Sequence, residues 1–155
     1  MKTERKFVAA DPEKCTGCSI CELVCSLEKE KVFSLHYSRI KVVRLHGILN
    51  VVTACRFCED AKCVKVCPRE ALMQLEETGI ISVDDEKCNA CGWCIEACDF
   101  GAITIHSDKP TVLICDLCNG EPKCVEWCPE EALSLMTEEE LNRKMQAATL
   151  RKAVS

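Results

Sequence analysis

The sequence predicts an α+β chain made of two pseudo-symmetric modules of short strands and short helices, followed by a C-terminal helix. Three observations lead there. Sixteen cysteines stand in 155 residues, grouped in four runs of four. The runs are of two types, and the pair of types occurs twice, so the chain is an internal duplication. Residues 137–155 hold no cysteine and consist largely of helix formers.

Taken in order, residues 6–10 are a β-type run and Asp11-Pro12-Glu13-Lys14 is a turn. The first cysteine run follows at Cys15, Cys18, Cys21 and Cys25. Its spacing returns at Cys88, Cys91, Cys94 and Cys98, behind the similar entrance Asp84-Asp85-Glu86-Lys87. The second type has one longer gap and ends in Cys-Pro, at Cys55, Cys58, Cys63 and Cys67 and again at Cys115, Cys118, Cys124 and Cys128. CVKVCPREALMQL and CVEWCPEEALSLM align without a gap. Pro68 and Pro129 suit the first position of a short helix, with Glu70 and Glu131 near its electropositive start, and a strand is expected after each, at 72–75 and 133–136. Residues 80–83 form another β-type run. Hairpins are expected at 39–45 with 48–53, around His46-Gly47, and at 103–106 with 111–114. In the tail, Thr137 with Glu140 makes a capping box, acids lead and bases trail. That helix either folds back on its own domain or serves docking or self-association.

Composition limits the function. The formal charge is −5, with bases spread among the acids, which argues against a nucleic-acid surface. No apolar run is long enough to insert directly in a membrane. The start of the chain has no apolar export segment, so reduced thiols and a cytoplasmic location are expected.

Four cysteines at C-x2-C-x2-C-x3-C spacing are a recorded iron–sulfur pattern, in which the fourth cysteine of each run caps the cluster of the other. Three thiolates of one tight loop reach three corners of a four-iron cube, and the fourth corner takes a thiolate from elsewhere. Gly17, Ala90 and Gly92 are small residues that let backbone amides turn towards the sulfurs. Zinc is the chemical rival, since sixteen cysteines also fill four four-thiolate sites, although zinc sites usually come as two separated pairs. Each four-iron cluster held by four thiolates adds about −2, which would take the formal charge to about −13.

CRFCEDAKCVKVCP, GIISVDDEKCNACGWCIEACDFGAI and CDLCNGEPKCVEWCPEEAL resemble the four-cluster ferredoxin-like electron-transfer subunits of molybdenum and tungsten oxidoreductases, of the aldehyde oxidoreductase-associated type. Similar subunits accompany hydrogenases and carbon monoxide dehydrogenases. The resemblance covers residues 7–136. It departs at Cys98-Asp99, where relatives often have Cys-Pro. With all sixteen cysteines present it implies four [4Fe-4S] clusters and a nested wiring. One cluster takes Cys15, Cys18, Cys21 and Cys128, and its neighbour takes Cys115, Cys118, Cys124 and Cys25. The inner two take Cys55, Cys58 and Cys63 with Cys98, and Cys88, Cys91 and Cys94 with Cys67. Duplication alone equally allows each copy to pair within itself. The implied organisation is a four-cluster ferredoxin-like domain at 1–136, with an outer module at 1–50 and 110–136 and an inner module at 51–109, followed by the helix at 137–155.

The implied role is that of a non-catalytic electron-transfer subunit. It would relay single electrons between a second redox protein and a tungsten or molybdenum pterin enzyme, such as an aldehyde oxidoreductase or an aromatic acyl-CoA reductase. Alternatives are a subunit of a hydrogenase or carbon monoxide dehydrogenase, a free polyferredoxin carrier, or a zinc-binding interaction module. No phosphate loop, haem motif or nucleophile–base arrangement appears. His36, His46 and His106 are expected at surface or turn positions. Arg56, Lys62, Lys65, Arg69 and Lys123 lie beside ligands, either solvated or tuning potential, and Phe57, Trp93, Phe100 and Trp127 are expected to shield the clusters from water.

Overall fold

The computed structural model describes residues 5–154. Residues 1–4 of the expected first module and Ser155, the end of the expected tail helix, lie outside the described residues. In chain order the elements are β1 (Phe7–Ala10), α1 (Ile20–Glu30), β2 (Lys41–Leu45), β3 (Leu49–Thr53), α2 (Lys62–Lys65), β4 (Leu72–Gln74), β5 (Ile81–Val83), α3 (Trp93–Ala97), β6 (Thr104–Ile105), β7 (Val112–Leu113), α4 (Lys123–Glu126), β8 (Leu133–Met136) and α5 (Glu138–Val154). The architecture is α+β, with short helices set among four two-stranded antiparallel sheets, β1·β8, β2·β3, β4·β5 and β6·β7.

Two of these sheets repeat each other residue for residue. In β4·β5, Leu72 pairs with Val83, and in β1·β8, Leu133 pairs with Ala10. Leu72 and Leu133 each stand five residues after a Cys-Pro cysteine; Val83 and Ala10 each stand five before the next first-type run. The Asp84 N–H donates to the Ala71 carbonyl at 2.8 Å, and the Asp11 N–H donates to that of Ala132 at 2.8 Å. After each aspartate the chain makes the same turn, closed by the Cys88 N–H on the Asp84 carbonyl and the Cys15 N–H on that of Asp11, both at 3.0 Å. Aspartate suits this place because its carboxylate accepts a backbone N–H two residues on, as Asp11 does from Glu13 and Asp84 from Glu86.

The apolar sides of these strands, including Phe7, Val8, Leu72, Ile81, Leu133 and Met136, pack with the buried cysteines into one contiguous core. Helix α1 packs on α4, and α2 packs on α3. The two hairpins form as expected. Residues 50 and 51, where the modules were divided, lie inside β3, and residues 109 and 110 lie between β6 and β7, so both divisions fall within a hairpin.

Two local expectations are corrected. Pro68 and Pro129 do not begin helices; each opens a turn after a helix has ended. Glu70 at φ 50° and Glu131 at φ 47° take the left-handed conformation, which stops helical propagation and sends the chain into β4 and β8. The second is α1, eleven residues long, in a stretch for which no helix is expected from the sequence. Its inward face carries Cys21, Glu22, Cys25 and Ser26, a mixture without apolar periodicity.

The tail helix α5 begins with the expected capping box. The Thr137 N–H donates to Glu140 Oε2 at 2.9 Å, and the Glu140 N–H donates to Thr137 Oγ1 at 3.3 Å. It folds back over the start of the chain. Leu141 packs on the core, Ala148 is buried, Lys144 pairs with Asp11 at 2.8 Å, and Arg151 pairs with Glu13 at 3.1 Å. Lys152 adds a bond of 2.9 Å to the Ile48 carbonyl. Among the described residues, no helix is long and apolar enough to cross a membrane.

Candidate metal centre

All four cysteine runs open with the same backbone turn. The residue just before the second cysteine is left-handed in each: Gly17 at φ 71°, Phe57 at φ 52°, Ala90 at φ 54° and Leu117 at φ 57°. For a non-glycine residue this conformation costs about 1–2 kcal/mol, so its recurrence at Phe57 and Leu117 marks a turn imposed by the site. In the first-type runs a second left-handed residue, Ser19 or Gly92, caps the helix that follows, α1 or α3. The third cysteine of every run then sits in a helix, as Cys21, Cys63, Cys94 or Cys124.

Helix pairing brings the runs together. Four cavities result, each lined by four cysteines. Cys15, Cys18, Cys21 and Cys128 line one, with Val42, Val52 and Leu133. Cys115, Cys118, Cys124 and Cys25 line a second, with Ile40, Leu117 and Pro122. Cys55, Cys58, Cys63 and Cys98 line a third, with Ile81, Ala102 and Ile103. Cys88, Cys91, Cys94 and Cys67 line the fourth, with Leu72, Val112 and Trp93. These are called below the Cys15, Cys115, Cys55 and Cys88 sites.

The sixteen thiols are free. Burial pushes the Cys21, Cys55 and Cys115 thiols up to about 12 and Cys94 to about 11, and raises Cys124 as well. The Phe57 and Leu117 amides act in the opposite direction on Cys55 and Cys115. Burial also acts upward on Cys67, but the amides of Ala71, Arg69, Leu72 and Glu70 together bring its thiol below the ordinary value. The Ala71 N–H reaches Cys67 Sγ at 3.3 Å, the Ala132 N–H reaches Cys128 Sγ at 3.4 Å, and the Arg39 N–H reaches Cys25 Sγ at 3.3 Å. Buried thiols with amides aimed at their sulfurs are a donor set for metal-bound thiolates, since a bound metal deprotonates its thiol ligands outright.

The sulfurs surround their cavities instead of converging on a point. A four-thiolate zinc ion, with Zn–S of about 2.3 Å, draws its sulfurs to about 3.8 Å from one another. Among the described residues, no three His, Cys, Asp or Glu side chains gather tightly enough to hold a single ion. Four thiols around each cavity, among apolar and charged side chains, fit an iron–sulfur cluster.

Neighbouring sites interact electrostatically through named pairs. Cys63 acts on Cys94, Cys115 on Cys55, and Cys21 on Cys124. Exposure is uneven: Cys18 and Cys91 are exposed, and every other cysteine is partly or fully buried.

The remaining sequence candidates divide. Phe57 is fully buried and Phe100 half-buried; Trp93 and Trp127 are 64% and 62% exposed, and of these two Trp93 lines the Cys88 site whereas Trp127 lines none of the four. Trp93 is the first residue of α3 and Trp127 follows the last residue of α4. His36 and His46 are exposed, whereas His106 is buried, its Nδ1 accepting the Asp108 N–H at 3.0 Å and its Nε2 standing 3.5 Å from Glu30. It lines none of the four sites. Arg56 is half-buried beside Cys58 and Cys98, while Lys62, Lys65 and Arg69 are exposed and Lys123 partly so.

Residues 48–138 match the family described as the 4Fe-4S dicluster domain. The chain belongs to this family. Among its relatives, the polyferredoxin-like subunit of an aliphatic sulfonate oxidoreductase from Pyrococcus furiosus is 44% identical over 86% of this chain and 79% of its own length. The putative electron transport protein YsaA of Escherichia coli is 39% identical over 89% of this chain and 94% of its own. In a solved structure of the active-site complex BamBC of benzoyl coenzyme A reductase as isolated, one chain superposes with a TM-score of 0.50 and 27% identity, over 96% of this chain and 89% of that one. The chain is a ferredoxin-like electron-transfer subunit that holds [4Fe-4S] clusters. YsaA is named for electron transport, and the Pyrococcus furiosus relative is named as the polyferredoxin-like subunit of its oxidoreductase.

Proposed function

We propose that each of the four cavities holds one [4Fe-4S] cluster, three of whose thiolates come from one run and the fourth from the run that pairs with it. The chain is then two pseudo-symmetric two-site modules, an inner one with the Cys55 and Cys88 sites and an outer one with the Cys15 and Cys115 sites. The observation that carries this reading is the lining of the cavities, four sets of four cysteines that use all sixteen once. The repeated registers of β1·β8 and β4·β5 support the modules.

When bound, each cluster supplies a one-electron couple. The protein's own part is to order four such couples. Through Cys94 and Cys63, Cys55 and Cys115, and Cys124 and Cys21, the sites adjoin in the sequence Cys88, Cys55, Cys115, Cys15. The exposed cysteines, Cys91 and Cys18, belong to the two terminal sites and give the wire an opening at each end. One end serves a catalytic oxidoreductase subunit and the other a second redox protein. An oxidoreductase partner is supported by the sulfonate oxidoreductase relative and the benzoyl coenzyme A reductase likeness, and a tungsten or molybdenum pterin enzyme is favoured by the resemblance of the cysteine motifs.

Anaerobic purification at native expression tests this. We expect about sixteen irons per chain, a broad visible band bleached by dithionite, and a co-purifying subunit that contains tungsten or molybdenum. Colourless protein with zinc would overturn the cluster assignment; a loaded chain that runs alone would make it a diffusing carrier.

A further inference from the structure

Five basic side chains line the four sites, and their surroundings differ sharply. At the Cys115 site, Lys29 is neutralised by Asp116 at 2.6 Å, and Arg39 is paired at 3.1 Å with Glu30, a carboxylate that His106 and Lys109 also approach. At the Cys88 site, Arg69 is exposed to water, which screens its charge. No basic residue lines the Cys15 site. At the Cys55 site, Lys62 is exposed and tied to Asp99 at 2.6 Å.

Arg56, also at the Cys55 site, is different. Its side chain is 27% exposed, and its guanidinium lies 4.0 Å from the centroid of the Phe100 ring and 5.1 Å from that of Phe7. The nearest carboxylate, Glu138, is 3.9 Å away and itself 68% exposed, so it compensates the cation weakly. Two aromatic faces hold the guanidinium in place without neutralising it. Arg56 lines both the Cys55 site and an adjoining open cleft of about 480 Å³ that reaches Phe7, Thr137 and Glu139. It therefore forms part of the wall between this site and solvent.

Reduction by one electron makes a site one charge more negative, and a fixed, weakly compensated cation in a partly buried position favours that state. We infer that Arg56 is a potential-setting residue, which raises the reduction potential of the Cys55 site above the other three and makes this internal site the electron reservoir of the wire. An electron entering at either end then comes to rest inside the chain, behind Arg56 and away from the exposed cysteines at the two ends. The inference rests on the four-cluster reading above and goes beyond it by ranking the sites.

The test is an anaerobic redox titration of the loaded full-length chain, followed by electron paramagnetic resonance, with iron counted on each sample. The wild type is expected to show four one-electron transitions and about sixteen irons. In Arg56→Gln the highest of the four midpoints should fall while the other three stay, and Arg56→Lys should restore most of the difference. Glu138→Gln, at an exposed position, should move the same midpoint up. This second variant decides the matter if Arg56→Gln loses iron. Arg69→Gln should move none of the four appreciably. Four midpoints that ignore both Arg56→Gln and Glu138→Gln, or a shift at a midpoint other than the highest, would overturn the inference and leave the four-cluster reading intact. Fewer than four transitions in the wild type would overturn both.

Discussion

The inner and outer pairs of sites share one local chemistry but are closed in different ways. The inner pair is joined by β4·β5, whose strands are separated by a short turn, with the Gly79 N–H returning to the Leu75 carbonyl at 2.8 Å. The outer pair is joined by β1·β8, the same register made from the two ends of the described chain. Closing the larger loop costs more conformational entropy, and the outer module carries more structure to offset it. Its α1 has eleven residues where the inner α3 has five, the β2·β3 hairpin covers the Cys15 site, and α5 ties itself to Asp11 and Glu13 beside the first cysteine. A duplicated unit can thus keep its cysteine spacing and its joining register while the structure packed around the joint changes.

Breaking each closure separately should have the largest effect. Val8 in β1 is 1% exposed, and Val8→Asp puts an unpaired carboxylate into the outer core. Iron analysis should find about half the iron lost, from the outer sites, while Ile81→Asp should take iron from the inner pair. Uniform loss from all four sites in Val8→Asp would show a single cooperative unit in place of two modules.

A smaller effect compares two equivalent turn residues. A Cβ at Gly17 would stand 2.7 Å from Asn50 Oδ1, and the Asn50 amide donates to the Cys15 carbonyl at 2.8 Å. Gly17→Ala should cost about 1–3 kcal/mol through strain and displacement of Asn50, read as earlier thermal bleaching of the visible band. The inner equivalent is already alanine, so Ala90→Gly, which relieves a left-handed alanine, should be neutral or stabilise by up to about 1 kcal/mol.

Removing residues 138–155 should leave about sixteen irons in place and lower the bleaching temperature modestly. The ion pairs lost, Lys144–Asp11, Arg151–Glu13 and Arg56–Glu138, are surface contacts worth at most about 1 kcal/mol each, and Thr137→Ala alone should cost about 1 kcal/mol of the helix start. Loss of iron on truncation would make α5 an obligatory part of the outer module.

The smallest effect is in pH. The bond from Lys144 holds the Asp11 carboxyl below its ordinary value of 3.8. A depressed carboxyl contributes stability above its unfolded pKa, and that contribution is lost as pH falls through the folded value. Docking of α5 should therefore weaken only in acid, below about pH 4, and Lys144→Met should abolish that dependence in a fluorescence or exchange measurement on the tail.

Much of this was legible in the sequence. The runs, both hairpins, strands β1, β4, β5 and β8 and the capping box of α5 follow from cysteine spacing, β-branched runs and Thr137-x-x-Glu140. The left-handed turns at Gly17, Ala90 and Gly92 were legible because small residues announce them. Those at Phe57, Leu117, Glu70 and Glu131 were not, because large side chains carry no such signal and the conformation is imposed by the site. Helix α1 was hidden because its buried face is made of ligands and of Glu22 and Ser26, the latter donating to the Leu23 carbonyl and accepting the Ser34 N–H. Burial of His106 depends on Tyr37 and Glu30, distant in sequence, and no local pattern marks it.

The most direct test is an anaerobic crystal structure of the loaded protein, with iron located by its anomalous scattering. Four separate four-iron groups are expected, with Cys128 bound beside Cys15, Cys18 and Cys21, Cys25 beside Cys115, Cys98 beside Cys55, and Cys67 beside Cys88. Iron bound by the four cysteines of a single run, or Cys25 ligating a group held by Cys55, would contradict the assignment.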